Sequence, residues 1–299
     1  MGSPPARRIG EAAIRVPGTC GELVQGTLDG ISFHISCPIG IFSTVRAKAF
    51  SPGHGVAGPQ DRPKAIAAAE RTLKYLSVRD IGIVLQIDNP LPLGKGMASS
   101  TADVAGAIYA TSMALNRCLS AQEAAELALA VEPTDGSIFP NIVLFDHKGG
   151  RLYEELGPPP DIEILVLVLE GSVDTLEFNR NDYSHIYEQN EGEMRAAIEL
   201  VRQGIKEGNP WLVGEGATLS AMCHQKILFK PQLEQVVELA REVNALGVNV
   251  AHSGTAIGML LPSKAARQNK TRERLEQFVQ ESLGLREFFW CRLVGGGRR

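Results

Sequence analysis

The sequence predicts an α+β chain in two layers, organised around one strand–loop–helix unit. Residues 81–87 (IGIVLQI) read as a strand and residues 97–115 as an Ala-rich helix, with Gly94 and Gly96 in the loop between them. An acidic turn, EPTDG at 132–136, follows the next helix. Beyond the run Gly157-Pro158-Pro159-Pro160 comes the most apolar strand of the chain, DIEILVLVLE at 161–170. Helical stretches and a second small loop, Ser253-Gly254-Thr255, complete the pattern.

A chain of 299 residues with 44% hydrophobic and 21% charged residues can bury a large core. Its net charge of −4 offers neither a footprint for nucleic acid nor a polybasic membrane patch. The longest purely apolar run, residues 164–169, is far too short to cross a bilayer. Five scattered cysteines without a C-x-x-C pair argue against both a zinc site and a disulfide framework. They suit a reducing compartment and are expected as buried, inert thiols. The N-terminus carries no apolar signal segment, so a cytoplasmic protein is expected.

In chain order, residues 1–10 are expected to be disordered. Residues 12–16 begin a strand that runs into a loop, PGTCGELVQG at 17–26. Residues 31–37 and 41–49 read as paired strands broken by Pro38 and Gly40. After a Gly- and Pro-rich loop, residues 64–76 form an amphipathic helix, and the strand at 81 leads to the central loop. Ser120 followed by Glu123 is a capping-box pattern for a helix that should end at Glu132, before Pro133. Residues 141–145 and 151–156 resemble a hairpin around Lys148-Gly149-Gly150. The three prolines at 158–160 mark a junction, giving an N-terminal domain at 1–157 and a C-terminal domain at 158–299. Residues 182–206 and 210–226 read as helical, and another helix starts at Pro231 and stops before Gly247. Strands at 248–252 and 257–261 flank the second small loop. A charged helix at 264–283, a strand at 287–294 and a frayed tail at 295–299 close the chain.

The central loop has the makings of a phosphate cradle. Glycines allow close backbone approach, and the first turn of a helix offers N–H donors and a positive dipole end. Hydroxyls at Ser99, Ser100 and Thr101 can bind phosphate oxygens or Mg²⁺. Read locally, the same residues form an ordinary loop whose serines cap a helix. The loop is neither a Walker motif nor a G-x-G-x-x-G fingerprint.

The stretch PLPLGKGMASSTAD resembles the second motif of the GHMP kinases, which include galactokinase, homoserine kinase and mevalonate kinase. Lys95 and the pair Met97-Ala98 replace the usual glycine-leucine-glycine arrangement. GKGMASSTAD and VDT-x-x-FNR are similar to the L-threonine kinase branch, which makes O-phospho-L-threonine for the aminopropanol linker of cobalamin. The resemblance implies a domain like ribosomal protein S5 domain 2 followed by a ferredoxin-like domain, with the active site between them. It implies ATP and Mg²⁺ as cofactors and L-threonine as acceptor, and it leaves a homodimer open. Pro92, Leu93, Gly94, Lys95, Gly96 and Met97 would bind nucleotide together with Ala98, Ser99 and Ser100. Ser253, Gly254 and Thr255 would close over the phosphates as the third motif. Ser100 and Glu132 would hold Mg²⁺, and Asp135 would act as catalytic base. Glu22 and Gln25, in the first motif, would meet the acceptor with Asp174 and Arg180.

Each assignment has a plainer counterpart: Thr134-Asp135-Gly136 is a turn, Glu22 a solvated loop residue, and Arg180 a surface ion pair. Homoserine kinase is the neighbouring activity, and a silent nucleotide- or metabolite-binding protein on the same scaffold is the alternative of another class. The six histidines show no ligand spacing. His252 stands beside the third motif, and a core or capping role is expected for all.

Overall fold

Two long strands, β1 (Arg7–Leu28) and β2 (Ile31–Ser51), form the spine of the molecule. They pair antiparallel from Arg7↔Ser51 to Leu28↔Ile31. Asp29 and Gly30 join them with φ of 49° and 75°, the left-handed pair that a two-residue hairpin turn requires. The Asp-Gly dipeptide is the sequence signal for this hairpin. The fold was obtained as a computed structural model describing residues 5–151, 153–173, 178, 180–181 and 183–299.

The spine corrects three expectations. Residues 7–10 belong to β1, with Arg8 opposite Phe50, so order begins well before Ala12. Residues 17–26 are strand rather than loop. Register shifts between Pro17 and Thr19, Thr19 and Glu22, and Glu22 and Val24 absorb the residues that a regular ladder rejects. Pro38 does not break β2, because it lies opposite Thr19 where β1 is already bulged and a missing N–H disturbs little. The expected strands at 31–37 and 41–49 are therefore one strand, and both parts pair with β1.

On one side β2 pairs with β4 (Gly82–Asp88), which carries the short β3 (Val56–Ala57). β2 also meets the hairpin of β5 (Ile142–Phe145) and β6 (Tyr153–Gly157) at His34↔Phe145. On the other side, β1 joins β8 (Gly247–Val250) through the single pair Glu22↔Val250. The sheet continues through β9 (Ala256–Pro262) and β7 (Ile162–Val168) to β10 (Phe288–Arg292). Alternate residues of β7 serve two cores. Ile164 and Val166 face the main core, whereas Leu165 and Leu167 face the helices Leu233–Glu242 and Asn269–Glu281.

Helices α1 (Pro63–Tyr75) and α3 (Ala121–Leu129) flank α2 (Ser99–Ala114). Fourteen of the sixteen residues of α2 are buried, which its small side chains permit. A Cβ at Gly106 would lie 2.5 Å from Val45 Cγ2, so helix and sheet touch almost backbone to backbone. Asp103, buried in α2, accepts from Ser43 Oγ at 2.6 Å and Asn89 Nδ2 at 2.7 Å. These bonds tie the helix to β2 and to the loop after β4, fixing where its N-terminus points.

Other expectations shift at their edges. The capping box at Ser120 forms in full, but α3 ends at Leu129, just short of the predicted stop. The helix predicted over 182–206 divides into Ser184–Gln189 and Glu191–Glu207, with residue 182 outside the described residues. The one predicted over 264–283 divides into Ser263–Ala266 and Asn269–Glu281. Gln268 is extended there, and Arg272 Nε donates to the Ala266 carbonyl at 2.6 Å. The tail is not frayed: Arg15 and Arg299 exchange two backbone hydrogen bonds of 2.8 Å, and both guanidinium groups lie over the Phe42 ring. Cys20, Cys37 and Cys291 are buried thiols as expected, but Cys118 is exposed. Among the described residues, no helix is long and apolar enough to cross a membrane.

Candidate active site

The loop between β4 and α2 forms one wall of a cleft. Gly94, Gly96 and Ala98 take φ of 70°, 76° and 51°, so left-handed residues recur three times within five positions. Such alternation aims successive backbone N–H groups to one side, the arrangement that receives anions. Ala98 is the N-cap of α2, and a left-handed alanine costs about 1–2 kcal/mol, which the surrounding bonds must offset. Those bonds are many. Met97 O accepts from Thr19 N–H at 3.0 Å, Gly96 O from Gly21 N–H at 3.2 Å, and Gly94 O from Val173 N–H at 3.0 Å. Lys95 O accepts from the N–H groups of Thr255 and Ala256 at 3.1 Å each, so the third motif packs on the second. A Cβ at Gly254 would lie 2.2 Å from Gly96 N, and only glycine fits there.

Within this loop the side chains divide. Ser100 faces the cleft, whereas Lys95 Nζ turns to the carbonyls of Leu169 and Gly171 at 2.7 and 2.6 Å. The Ser99 hydroxyl donates to Leu91 O at 3.2 Å and accepts from Asn89, so it braces the loop. Met97 is buried and Leu93 exposed. Thr255 Oγ1 donates to Leu169 O at 3.1 Å.

The acidic turn forms the opposite wall. Glu132 accepts from the Ser100 hydroxyl through Oε1 and pairs with the Lys64 ammonium through Oε2. Thr134 N–H donates to His147 O at 2.9 Å and anchors the turn. Asp135 Oδ1 lies 3.4 Å from both Ser36 Oγ and His34 Nδ1, and its Oδ2 lies 3.4 Å from Thr101 Oγ1. Three polar side chains therefore surround this carboxylate without a tight ion pair.

The floor is made by the bulged part of β1. Glu22 is buried, and its Oε2 accepts the backbone N–H of His252 at 2.6 Å. Burial, then the negative charge of Asp135, holds the Glu22 carboxyl well above the usual carboxylate range, against the pull of that N–H and of Lys230. Lys230, which donates to Ala251 O at 3.0 Å, is itself pushed down to about 8 by burial. Gln25 Oε1 lies 2.9 Å from His252 Nδ1. Burial and Asp135 thus hold Glu22 toward its neutral form, and a cation arriving beside it would favour the charged one. Arg180 is exposed, Phe178 packs edge-on against His252 at 5.0 Å, and Asp174 lies outside the described residues.

Residues 63–139 match the GHMP kinases N terminal domain, and residues 199–280 match the GHMP kinases C terminal domain. The chain is 34% identical over 256 residues to an L-threonine kinase of Salmonella typhimurium, covering 85% of this chain and 84% of that one. The chain belongs to the GHMP kinases. An L-threonine kinase of Citrobacter freundii is 33% identical over 84% of this kinase and 86% of its own length. The fold is similar to that of a homoserine kinase from Cytophaga hutchinsonii, with a TM-score of 0.74 at 15% identity over 97% of both chains.

In this GHMP kinase the Ser100 hydroxyl and Glu132 carboxylate converge as hard oxygen donors, a set that suits Mg²⁺. The Lys64 ammonium on the same carboxylate shows that the position is complementary to positive charge. Lys64, Ser36 and His34 carry no signal as site residues in the sequence. Lys64 is one charged residue on an amphipathic helix, and nothing local distinguishes it. Thr101 is one of the first-turn hydroxyls expected to bind phosphate or Mg²⁺, and the structure turns its Oγ1 toward Asp135 instead. His34 and Ser36 reach the site only because β2 runs unbroken beside β1.

Proposed function

We propose that this kinase transfers the γ-phosphoryl group of ATP to the hydroxyl of L-threonine, giving O-phospho-L-threonine and ADP. The observation that carries this reading is the convergence of Ser100–Glu132, Asp135 and Glu22 on one cleft. The similarity to two L-threonine kinases over most of the chain supports the choice of acceptor. The product would feed the aminopropanol linker of cobalamin.

Backbone N–H groups of residues 94–100 receive the phosphates, and Ser253-Gly254-Thr255 brace the loop from behind. Ser100 and Glu132 would hold Mg²⁺, which would supply charge neutralisation on the phosphates. The threonine hydroxyl oxygen attacks the γ-phosphorus, the bond to the β–γ bridging oxygen breaks, and the hydroxyl proton passes to Asp135. Ser36, Thr101 and His34 hold Asp135 for that contact. Glu22 receives the acceptor's ammonium, with Gln25 beside it, and Arg180 is the candidate partner for the acceptor's carboxylate. The N-terminal domain at 1–157 carries the nucleotide site, and the domain at 158–299 closes it.

Steady-state kinetics with L-threonine, L-serine, L-homoserine and galactose test the proposal. Threonine should give the highest kcat/KM. Serine differs by one methyl group, worth roughly 1–3 kcal/mol in an apolar pocket, so it should be poor and not silent. Preference for homoserine would reassign the acceptor. Activity on the sugar alone would remove the amino-acid pocket, and the absence of ADP release with every acceptor would leave a binding protein.

A further inference from the structure

Three histidines meet at the acceptor end of the cleft. His34 comes from β2, His147 from the turn after β5, and His252 from just beyond β8. One ring nitrogen from each lies within 4.8 Å of the other two, and each residue is at most 6% exposed. We propose that His34, His147 and His252 bind one divalent cation of borderline softness, of the Zn²⁺ class.

Three features support the site beyond proximity. First, His34 Nε2 and both ring nitrogens of His147 are buried with no hydrogen-bond partner among the described residues. An unpaired buried polar atom costs about 1–3 kcal/mol, and three in one cluster call for a ligand that would satisfy them. Secondly, His252 Nδ1 donates to Gln25 Oε1 at 2.9 Å, which fixes the tautomer that leaves Nε2 with a free lone pair. A ring held in one tautomer by such a partner is oriented to coordinate a metal through its other nitrogen. Thirdly, two carboxylates flank the cluster, with Glu22 Oε1 at 3.8 Å and Asp135 Oδ1 at 3.4 Å from His34 Nδ1. Both can orient the His34 ring through Nδ1, as outer-shell carboxylates do, and leave its Nε2 for the metal.

The rings of His34 and His147 stack at 3.7 Å and 10°, while His252 stands edge-on to His34 at 4.5 Å. Parallel rings do not converge their lone pairs on one point. His147 must therefore turn about its side-chain bonds, and this breaks no hydrogen bond, since neither of its nitrogens makes one. The cluster differs in kind from the Ser100–Glu132 pair. Imidazole favours Zn²⁺, Co²⁺ or Ni²⁺, whereas hydroxyl and carboxylate favour Mg²⁺. The cysteine spacing gives no zinc site, and these histidines supply one that spacing could not reveal. The proposal does not depend on which acceptor the kinase uses.

Co²⁺ reports such a site directly. The full chain, stripped with chelator and then held in saturating Mg²⁺, is titrated with Co²⁺ and followed by visible absorption. One equivalent should bind and give the intense bands of a low-coordinate imidazole site, and excess Zn²⁺ should abolish them. Loss of an outer-shell partner typically weakens metal binding 10–100-fold, so removing a ligand in His147→Asn or His252→Asn should cost at least about 100-fold. Glu132→Gln should leave Co²⁺ binding unchanged. X-ray absorption of the Co²⁺-loaded parent counts imidazole ligands without any variant, so a variant that fails to fold leaves the test intact. Three imidazoles are expected. Fewer than three, or a folded His147→Asn protein that binds Co²⁺ as tightly as the parent, would overturn the site.

Discussion

Glu22 Oε2 accepts the backbone N–H of His252 at 2.6 Å, although the two residues lie 230 positions apart in sequence. The same glutamate supplies the one pairing of β1 with β8, opposite Val250. Glu22 therefore helps join the two halves of the sheet, with the bridge Ile39↔Leu293 and the bond from Asn249 Nδ2 to Cys20 O, and places a buried carboxyl group at the floor of the cleft. Its remaining oxygen lies 3.8 Å from His34, a neighbour that can carry charge only when protonated. A cationic ligand would complement it fully.

Glu22→Gln keeps an oxygen for the His252 N–H but removes the charge. A hydrogen bond to a charged group contributes about 1.5–3 kcal/mol, so KM for the acceptor should rise roughly 10–100-fold. Nucleotide affinity should be unchanged. An unaltered acceptor KM in steady-state assays would take Glu22 out of the acceptor site.

Gly96→Val places a branched side chain at φ +76°, where even a Cβ would lie 2.3 Å from Ala251 Cβ. The phosphate loop cannot keep its shape, and MgATP affinity measured by calorimetry should fall sharply while the far-ultraviolet dichroism persists. Gly254→Ala should behave alike through the opposite face of the same contact, since its methyl would meet Gly96 N. Binding as tight as the parent's in either variant would move the nucleotide elsewhere.

Asp135→Asn preserves shape and its contacts with Ser36 and Thr101 but cannot take a proton. Loss of a general base typically costs ~10²–10⁴-fold, so kcat should fall within that range with nucleotide affinity retained. A variant keeping more than about half the parent's turnover would assign Asp135 to the structure of the turn.

Stability should fall with acid, and histidines set where the fall begins. His224 is buried, its Nε2 pairs with His252 O at 2.9 Å, and burial pushes its pKa down to about 3. His147 and His252 are also pushed well below the ordinary value of 6.5. The unfolded chain takes up these protons near pH 6.5 and the folded protein does not. Stability is thus fully present above that pH and is lost as pH falls, by about 1.4 kcal/mol per pH unit for each such histidine. For His224 the loss runs from about 6.5 down to about 3. Glu22, with its raised pKa, contributes the opposite sign. Urea unfolding of the parent and of His224→Gln between pH 7 and 5 checks this. The variant should show the shallower slope, and a flat profile in the parent would mean that the buried rings take up protons in the folded protein as readily as in the unfolded chain.

The sequence alone determined the strand–loop–helix unit, the capped α3, the apolar β7 and the two glycine loops. These depend on local physics: period, caps, and glycines where backbones turn or approach. Gly94, Gly96 and Ser100 stand out for the same reason, whereas Glu132 and Asp135 are named only through the family resemblance, since residues 134–136 read locally as a turn. Tertiary structure alone decided that β1 and β2 stay continuous through Pro17 and Pro38, since each irregularity is absorbed by a bulge opposite it. It alone set Lys64 on Glu132 and gathered His34, His147, His224 and His252 from four separate segments. Such neighbours are made by sheet register and by buried helices that bring distant backbones together, and no spacing along the chain encodes them.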